Sequence, residues 1–379
     1  MEKRRNEKLN AETSLLGFGA MRLAVDSDGA IDYDICREMV DKAIAGGVNY
    51  FDTAYVYHAQ KSEVFLGDEL VARYPRDSIY LATKLPTFNV KKTEDMETML
   101  DESLKRLRTD YIDFYLMHSL NWAAWEKMKS YGVEEFIDKA KRNGKIRRIG
   151  FSTHASPEDL KKIINDYPKW EFVQMQVNYA DWEMDPWIKA CYEVAENAKV
   201  PVIIMEPVRG GSLADPEAPA VKKISEALRP GVTPASVAFR WAAERKAAFV
   251  ILSGMSAVAQ VEENIQTFSP IAPLADEERK AIEETIKVMK SFPIVPCTAC
   301  GYCLDGCPND IPIDDLFDGF NSFLYYKNVG HFTRFFPREG HRPSDCIECG
   351  ACAAICPQHI DVPTELKRVD ALYKEQTAK

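Results

Sequence analysis

The length, composition and charge of the chain describe a globular protein with more than one core. It has 379 residues, of which 46% are hydrophobic and 28% are charged, as in ordinary folded domains, and this length suits a large domain joined to a small one. The formal net charge of −10 argues against nucleic acid or an anionic membrane as a partner.

The start of the chain and its apolar runs give no sign of secretion or membrane insertion. The first ten residues, MEKRRNEKLN, are charged and no apolar stretch follows them, unlike a signal peptide. The longest apolar runs, near 200–205 and 249–252, are too short to cross a bilayer. Eight of the ten cysteines lie beyond residue 296. We therefore expect a reducing, cytoplasmic location.

Short apolar strands alternate with amphipathic helices from residue 14 to about 256. The predicted strands are Leu15–Gly19, Tyr50–Tyr55, Ile79–Lys84, Ile112–His118, Ile146–Ser152, Phe172–Asn178, Val202–Met205 and Phe249–Leu252. Their continuous apolar character is typical of strands buried on both faces of a parallel sheet. Eight such alternations in roughly 250 residues predict an α/β fold, a (β/α)8 TIM barrel. A doubly wound sheet is the alternative, but no G-x-G-x-x-G follows the first strand.

Polar side chains stand at the ends of three successive predicted strands. Asp52 and Tyr57 lie in the segment that ends the second strand, Lys84 ends the third and His118 ends the fourth. The carboxyl ends of the strands are the end of a barrel that carries catalytic residues. A carboxylate can hold a lysine as an ammonium, and that cation lowers the pKa of a nearby tyrosine. A histidine beside them can orient a carbonyl oxygen. This is the chemistry of proton donation to a carbonyl whose carbon receives a hydride.

The segments around these residues, FDTAYVY, ATKLP and LMHS, resemble those of the aldo-keto reductases over about residues 10 to 290. The resemblance implies that Tyr57 is the general acid and that Asp52 and Lys84 tune its pKa. It also implies that His118 orients the carbonyl of a small-molecule carbonyl or alcohol substrate. Tyr55 is the alternative to Tyr57.

The same resemblance implies a nicotinamide nucleotide at the mouth of the barrel. The positions that match cofactor-contacting places of the family are Ser152, Thr153, Gln174, Met205, Glu206, Gly254, Ser256, Gln260, Glu263 and Asn264. The first three would face the carboxamide, and Glu263 and Asn264 would contact the adenine. A phosphate suits the N-terminus of the helix that follows the eighth strand, where free N–H groups point outwards.

Three of these positions depart from the family pattern. Met205 stands where the family usually stacks a tyrosine on the nicotinamide. Gly254 and Gln260 stand where it usually supplies Lys and Arg for the 2′-phosphate of NADP. The choice between NADP and NAD therefore stays open, and Arg22 and Arg209 could compensate at the pyrophosphate.

A last barrel helix and a short linker precede the remaining cysteines. Helical periodicity continues over about Asp276 to Lys290, and two prolines in the next six residues end it. We therefore predict a barrel domain at 1–290, a linker at 291–296 and an iron–sulfur domain at 297–379. Within the last domain, an aromatic insertion is expected to cover the clusters and dock the tail on the barrel. Its aromatic residues are Phe317, Phe320, Phe323, Tyr325, Tyr326, Phe332, Phe335 and Phe336.

Two cysteine runs of identical spacing lie at 297–308 and 346–357. Both read C-x₂-C-x₂-C-x₃-C-P, which brings three thiolates around one corner of a cubic iron–sulfur cluster. Zinc and disulfides are the alternatives. A zinc site usually has two C-x₂-C pairs, and disulfides are rare in chains without a secretory signal.

These runs resemble those of bacterial two-cluster ferredoxins, with 38 residues between Cys307 and Cys346 that leave room for an insertion. The resemblance implies two [4Fe–4S] clusters, and the fourth cysteine of each run ligates the other cluster. The implied sets are Cys297, Cys300, Cys303 and Cys356 for cluster 1, and Cys346, Cys349, Cys352 and Cys307 for cluster 2.

The presence of the barrel and the iron–sulfur part in one chain predicts an iron–sulfur oxidoreductase of aldo-keto reductase type. Its nicotinamide-dependent carbonyl or alcohol chemistry would be coupled to one-electron transfer, with a redox protein as a candidate partner. Because a hydride carries two electrons and each cluster one, a flavin stays open as an intermediary. The alternatives are a carbonyl reductase with structural clusters and a non-enzymatic electron carrier with a degenerate barrel.

Overall fold

The structure is a computed structural model that describes residues 1–297, 301, 303–304, 306–334, 336, 341–356 and 358–378. It divides into two compact units. The first comprises Met1–Gly210 and Gly231–Asp276, and the second comprises Gly211–Pro230 and the described part of Glu277–Lys379. No helix in these ranges is long and apolar enough to cross a membrane.

The first unit is a closed barrel of eight parallel strands preceded by a two-stranded antiparallel hairpin. The hairpin strands are β1 (Lys3–Asn6) and β2 (Ala11–Ser14). The barrel strands are β3 (Leu16–Gly19), β4 (Tyr50–Asp52), β5 (Tyr80–Pro86), β6 (Ile112–His118), β7 (Ile146–Thr153), β8 (Phe172–Gln176), β9 (Val202–Met205) and β10 (Ala248–Ser253). Each strand pairs with the next, and β10 pairs with β3 to close the barrel. All eight predicted barrel strands and the fold class are confirmed.

Helices follow the barrel strands, as the predicted alternation requires. They are α1 (Tyr33–Ala45), α2 (Lys61–Leu66), α3 (Thr93–Arg106), α4 (Trp122–Ser130), α5 (Val133–Arg142), α6 (Pro157–Asp166), α7 (Tyr179–Met184), α8 (Pro186–Asn197), α9 (Lys222–Ala227), α10 (Pro234–Ala243) and α11 (Val258–Thr267). Local sequence fixes several starts: Ser156 and Thr233 each accept an N–H bond as N-cap, with proline in the first turn. Of these helices, α9 lies in the second unit.

Aromatic side chains from alternate strands fill the amino-terminal end of the barrel. Tyr50, Phe114, Phe172 and Phe249 come from β4, β6, β8 and β10, and all are buried. The ring centroids of Tyr50 and Phe172 each lie 5.1 Å from that of Phe114. Four side chains from alternate strands form one layer of a TIM-barrel core. This layer closes one end of the barrel and leaves the carboxyl ends of the strands for the site.

The second unit is built from helices around an aromatic core. The helices are α12 (Asp276–Ser291), α13 (Ile313–Tyr326), α14 (Val329–Thr333), α15 (Ala351–Ile355) and α16 (Val362–Thr377). Five phenylalanines of the predicted insertion (Phe317, Phe320, Phe323, Phe332 and Phe336) are buried in this core, and cluster cysteines pack against it. Phe335 lies outside the described residues. Docking of the tail on the barrel stays a prediction.

The structure groups two segments with the iron–sulfur part that the sequence assigned to the barrel domain. Nearly all of α12 and the whole of Gly211–Pro230 belong to the second unit. Within that unit, the N–H of Ala220 donates to the carbonyl of Tyr325 at 3.1 Å. The domain limits at 290 and 296 remain a prediction.

Candidate active site and iron–sulfur sites

A buried ion pair lies at the carboxyl ends of β4 and β5. The ammonium of Lys84 donates to Asp52 Oδ1 at 2.6 Å and to the carbonyl oxygen of Thr53 at 2.7 Å. The side chains of Lys84 and Asp52 are 0% and 4% exposed. The strands place them side by side because Asp52 pairs in register with Ala82, two residues before Lys84. A buried charge needs such a partner, since an isolated one is costly.

Tyr57 and His118 complete the group around this pair. The Lys84 ammonium lies 4.8 Å from the centroid of the Tyr57 ring, and the rings of Tyr57 and His118 meet edge to face with centroids 5.9 Å apart. Tyr57 stands in the turn after β4, where its N–H donates to the carbonyl of Ala54 at 3.1 Å. The structure thus brings the four predicted catalytic residues together from three strand ends.

The pKa of Tyr57 is raised above 10, mainly because burial disfavours the phenolate. Lys84 acts in the opposite direction, through its charge and a hydrogen bond, but does not outweigh burial. The expectation that Tyr57 has a lowered pKa is therefore wrong for the net direction. At Lys84 burial lowers the pKa, yet Asp52 and Tyr57 together raise it, so the ammonium form is retained. The site holds a neutral phenol beside a cation.

His118 is a neutral imidazole over the physiological pH range. Burial lowers its pKa to about 3, with further contributions from the positive charge of Lys84 and from His154. Its Nδ1 atom is buried and has no hydrogen-bond partner among the described residues. A neutral imidazole donates a hydrogen bond through one ring nitrogen and accepts one through the other, so His118 can orient a polar ligand group without adding charge.

Tyr55, the alternative to Tyr57, is engaged elsewhere. Its hydroxyl donates to Glu102 Oε2 at 2.5 Å, and the guanidinium of Arg106 lies 4.2 Å from its ring centroid. These partners belong to α3, so the hydroxyl of Tyr55 is held by that helix. The geometry favours Tyr57 as the residue beside Lys84.

An unsatisfied buried acceptor marks the place predicted for the carboxamide of a nicotinamide. Gln174 on β8 is 2% exposed, and its Oε1 atom has no hydrogen-bond partner in the described ranges. Its Nε2 atom donates to the sulfur of Met205 at 3.7 Å. An orphan buried acceptor is costly, and the amide of a bound nicotinamide supplies the matching donor. The residues therefore fit the group.

Ser152 and Thr153 use their hydroxyls within the protein. Ser152 Oγ accepts from the N–H of Ser119 at 3.0 Å. Thr153 Oγ1 donates to the carbonyl of Leu120 at 2.7 Å and accepts from the N–H of Ala155 at 2.9 Å. Both are buried at the end of β7, so their first role in this structure is to fix the loops after β6 and β7.

The residues predicted for the phosphate and adenine surround the start of α11. Gln260 Oε1 accepts from the N–H of Ser256 at 2.8 Å, and Asn264 Nδ2 donates to Ser253 Oγ at 3.0 Å. Glu263 accepts a hydrogen bond from Thr233. Asn264 is buried, so it supports the end of β10 rather than presenting its amide to solvent.

The side chain of Arg22 lies beside Gly254, next to the place that a side chain at this position would occupy. A Cβ atom on Gly254 would meet three aliphatic carbons of Arg22 at 3.3 to 3.4 Å, and one on Gly210 would meet its guanidinium at 3.0 Å. Arg22 is exposed. The neighbouring Arg209 is instead paired with Asp181 at 2.9 Å, and Glu206 is exposed and adopts a φ of 53°. Of the two arginines, Arg22 is the one placed beside Gly254.

Phe88 is a site residue that the sequence analysis did not single out. Its ring centroid lies 5.8 Å from that of His118, and it is 54% exposed. An exposed aromatic ring beside the candidate centre can contact substrate. The available signal was its position four residues after Lys84, in the loop that follows β5.

The cysteines of the second unit line two cavities. One is lined by Cys307, Cys346, Cys349 and Cys352. The other is lined by Cys297, Cys303 and Cys356; Cys300 and Pro357 lie outside the described residues. Each cavity thus takes cysteines from both runs, in the sets implied for crossed ligation.

Over the described ranges, no three ligand side chains converge as they would around a single ion. The cysteines instead line two cavities, each of which takes cysteines from both runs. These residues fit iron–sulfur clusters.

Comparison with known families assigns both parts of the chain. A sequence profile described as "Aldo/keto reductase family" matches residues 15–287. A second, described as "4Fe-4S dicluster domain", matches residues 296–360. The first match spans the barrel strands and the second spans both cysteine runs.

Several known proteins are similar to the barrel part. L-galactose dehydrogenase of Arabidopsis thaliana is 28% identical over 293 residues, which cover 73% of this chain and 91% of that protein. 6-Dehydroglucose reductase of Novosphingobium aromaticivorans is 26% identical over 269 residues, covering 67% and 86%. The holo form of aldo-keto reductase AKR11C1 from Bacillus halodurans gives a TM-score of 0.61 at 26% identity, covering 75% of this chain and 96% of that one.

Proposed function

The chain belongs to the aldo/keto reductase family, and on that basis we propose that its barrel interconverts a carbonyl and an alcohol with a nicotinamide nucleotide. The observation that carries this proposal is the buried Lys84–Asp52 pair at 2.6 Å beside Tyr57 and His118. The chain is an oxidoreductase that also carries an iron–sulfur domain.

Tyr57 is the proposed general acid. When bound, the nicotinamide supplies a hydride to the carbonyl carbon. The phenol of Tyr57 is protonated at neutral pH because burial raises its pKa, so it can donate a proton to the carbonyl oxygen. The ammonium of Lys84 stabilises the phenolate left behind, and Asp52 holds that ammonium in place. His118, neutral at this pH, orients the carbonyl oxygen.

Gln174 is the proposed carboxamide contact, because its buried Oε1 atom needs a donor. Ser152 and Thr153 act beside it by fixing the adjoining loops. The segment from Gly254 to Asn264 provides the phosphate and adenine side of the site. Arg22 lies against Gly254 and supplies a positive charge there, which favours the extra phosphate of NADP over NAD.

The second unit is proposed to hold two [4Fe–4S] clusters with crossed ligands. Cluster 1 takes Cys297, Cys300, Cys303 and Cys356, and cluster 2 takes Cys346, Cys349, Cys352 and Cys307. This agrees with the cysteines that line each cavity. When bound, each cluster takes up or releases one electron. Eight cluster-ligating cysteines require a reducing compartment, for which we propose the cytoplasm, and a redox protein is the proposed partner.

The names of the relatives indicate different substrates. One acts on L-galactose and another on 6-dehydroglucose, while a third is a methylglyoxal reductase. We therefore propose a reaction class, with a small carbonyl or alcohol as substrate.

Anaerobic reduction of the purified holoprotein tests whether the two units exchange electrons. Iron, sulfide and flavin are measured first, and NADH or NADPH is then added while cluster absorbance and EPR are followed. Coupling predicts cluster reduction, and a bound flavin would explain how a hydride is split into single electrons. If the clusters stay oxidised with either nucleotide but are reduced by dithionite, the nicotinamide does not transfer electrons to them. Carbonyl reduction in that same sample would favour structural clusters.

A further inference from the structure

The two cysteine-lined cavities are neighbours with one residue in common. Ile313, the first residue of α13, lines both of them. Cluster 1 is the group proposed at the site of Cys297, and cluster 2 is the group proposed at the site of Cys346. The two sites are thus adjacent within this unit.

The charges that line the two cavities differ. Asp314 lines the cluster 1 cavity. The described residues that line the cluster 2 cavity include no charged side chain; Asn309 and Ile347 are among them. Asp314 is half-buried and accepts the N–H of Asp315 at 3.0 Å. Within the described part of the chain it forms no ion pair.

Backbone N–H groups donate hydrogen bonds to two sulfurs of the cluster 2 set. The N–H of Ile311 donates to Cys307 Sγ at 3.5 Å, and the N–H of Glu348 donates to Cys346 Sγ at 3.4 Å. Cys349, another cysteine of this set, is exposed. Donors to sulfur and solvent exposure both stabilise the more negative, reduced state of a cluster, and a nearby carboxylate destabilises it.

We infer that Asp314 makes cluster 1 the lower-potential cluster, so that a single electron added to the protein resides on cluster 2. The inference rests on the proposed occupancy of both sites by [4Fe–4S] clusters. One electron from an external one-electron reductant reduces cluster 2, while cluster 1 stays oxidised. A second electron, added at lower potential, then reduces cluster 1. Through its charge, Asp314 thereby determines which cluster holds the first electron. It does not act as a cluster ligand.

The test is a redox titration of the full-length holoprotein, followed by EPR, for the wild type and three variants. Asp314→Asn removes the charge, and Asp314→Glu keeps it. Asp315→Asn is the matched control, because it removes a carboxylate from the same helical turn but from a residue that does not line the cavity.

We expect two midpoints in the wild type. Asp314→Asn raises only the lower one, so that the equilibrium constant for electron exchange between the clusters changes about tenfold, or ~59 mV for one electron. The other two variants keep the wild-type midpoints. The inference is overturned if Asp314→Asn leaves the lower midpoint in place or moves only the upper one. It is also overturned if Asp315→Asn causes an equal shift.

Iron and sulfide analysis of each sample separates this failure from failure of the proposed function. Fewer than two clusters in the wild type would contradict the proposed occupancy. Two clusters with unresponsive midpoints would contradict the role of Asp314 alone.

Discussion

The barrel site and the iron–sulfur unit differ in how their functional residues are brought together. In the barrel, the candidate residues are far apart in sequence, and hydrogen-bonded strands carry them to one place. In the second unit, the cysteines come from two short runs of sequence, and they line cavities. The backbone preorganises the first site. The second depends on the inorganic group that its thiolates bind, because a core interrupted by two cavities loses the packing that stabilises proteins.

Iron removal should have the largest effect and should act on one unit. We expect anaerobic chelation of iron to unfold the second unit, at a cost on the order of 10 kcal/mol as for structural metal sites, and to leave the barrel folded. Tryptophan fluorescence reports the barrel alone, because all six tryptophans lie between residues 122 and 241 in the first unit. Limited proteolysis reports the tail, and reconstitution with iron and sulfide is the control. A protease-resistant tail without iron would contradict the comparison.

Tyr57→Phe should remove catalysis without disturbing either unit. We expect kcat for a carbonyl turned over by the wild type to fall by about 10² to 10⁴, the usual contribution of a general acid. Tyr55→Phe is the matched control, since its hydroxyl binds Glu102. Its kcat should change less than about threefold, with a stability loss near 1 kcal/mol for the lost hydrogen bond. Equal losses in the two variants would show that the wrong tyrosine has been assigned.

Lys84→Met should damage both the chemistry and the stability of the barrel. It leaves the carboxylate of Asp52 buried without its partner, which costs about 3 to 5 kcal/mol, whereas the iron–sulfur unit should keep its iron. Denaturant unfolding followed by tryptophan fluorescence measures the loss. Adding Asp52→Asn to this variant should recover much of the stability but none of the activity. If the effects of the two substitutions on the free energy of unfolding were fully additive, the pair would not be coupled.

The fold could be predicted from sequence because its signals are local and repeated. Eight continuous apolar segments predicted the eight strands, and the structure places all of them in the barrel. Gly211–Pro230 was not assigned to the second unit, because this grouping depends on three-dimensional contacts such as the one between Ala220 and Tyr325.

The candidate site was predictable in its members but less so in its energetics. The strand ends identified Asp52, Lys84 and His118, since strands that are parallel bring their carboxyl ends to one edge. The net pKa direction of Tyr57 was missed because burial, a property of the folded state, outweighs the charge of Lys84. Phe88 was missed because an aromatic residue in a loop has no periodic or spacing signal.

The smallest effect, and the one that most sharpens the comparison, concerns the neutral state of His118. Its pKa is lowered from 6.5 to about 3 by burial and by Lys84, so the unfolded chain binds a proton at this residue between those two values and the folded barrel does not. The contribution of His118 to the free energy of unfolding is therefore fully present above about pH 6.5. It decreases as the pH falls, by at most about 1.4 kcal/mol per pH unit. His118→Gln should show a shallower decline of barrel stability from pH 6.5 to 4.5, followed by tryptophan fluorescence. Parallel pH profiles for the two proteins would show that the imidazole is not held neutral by the fold.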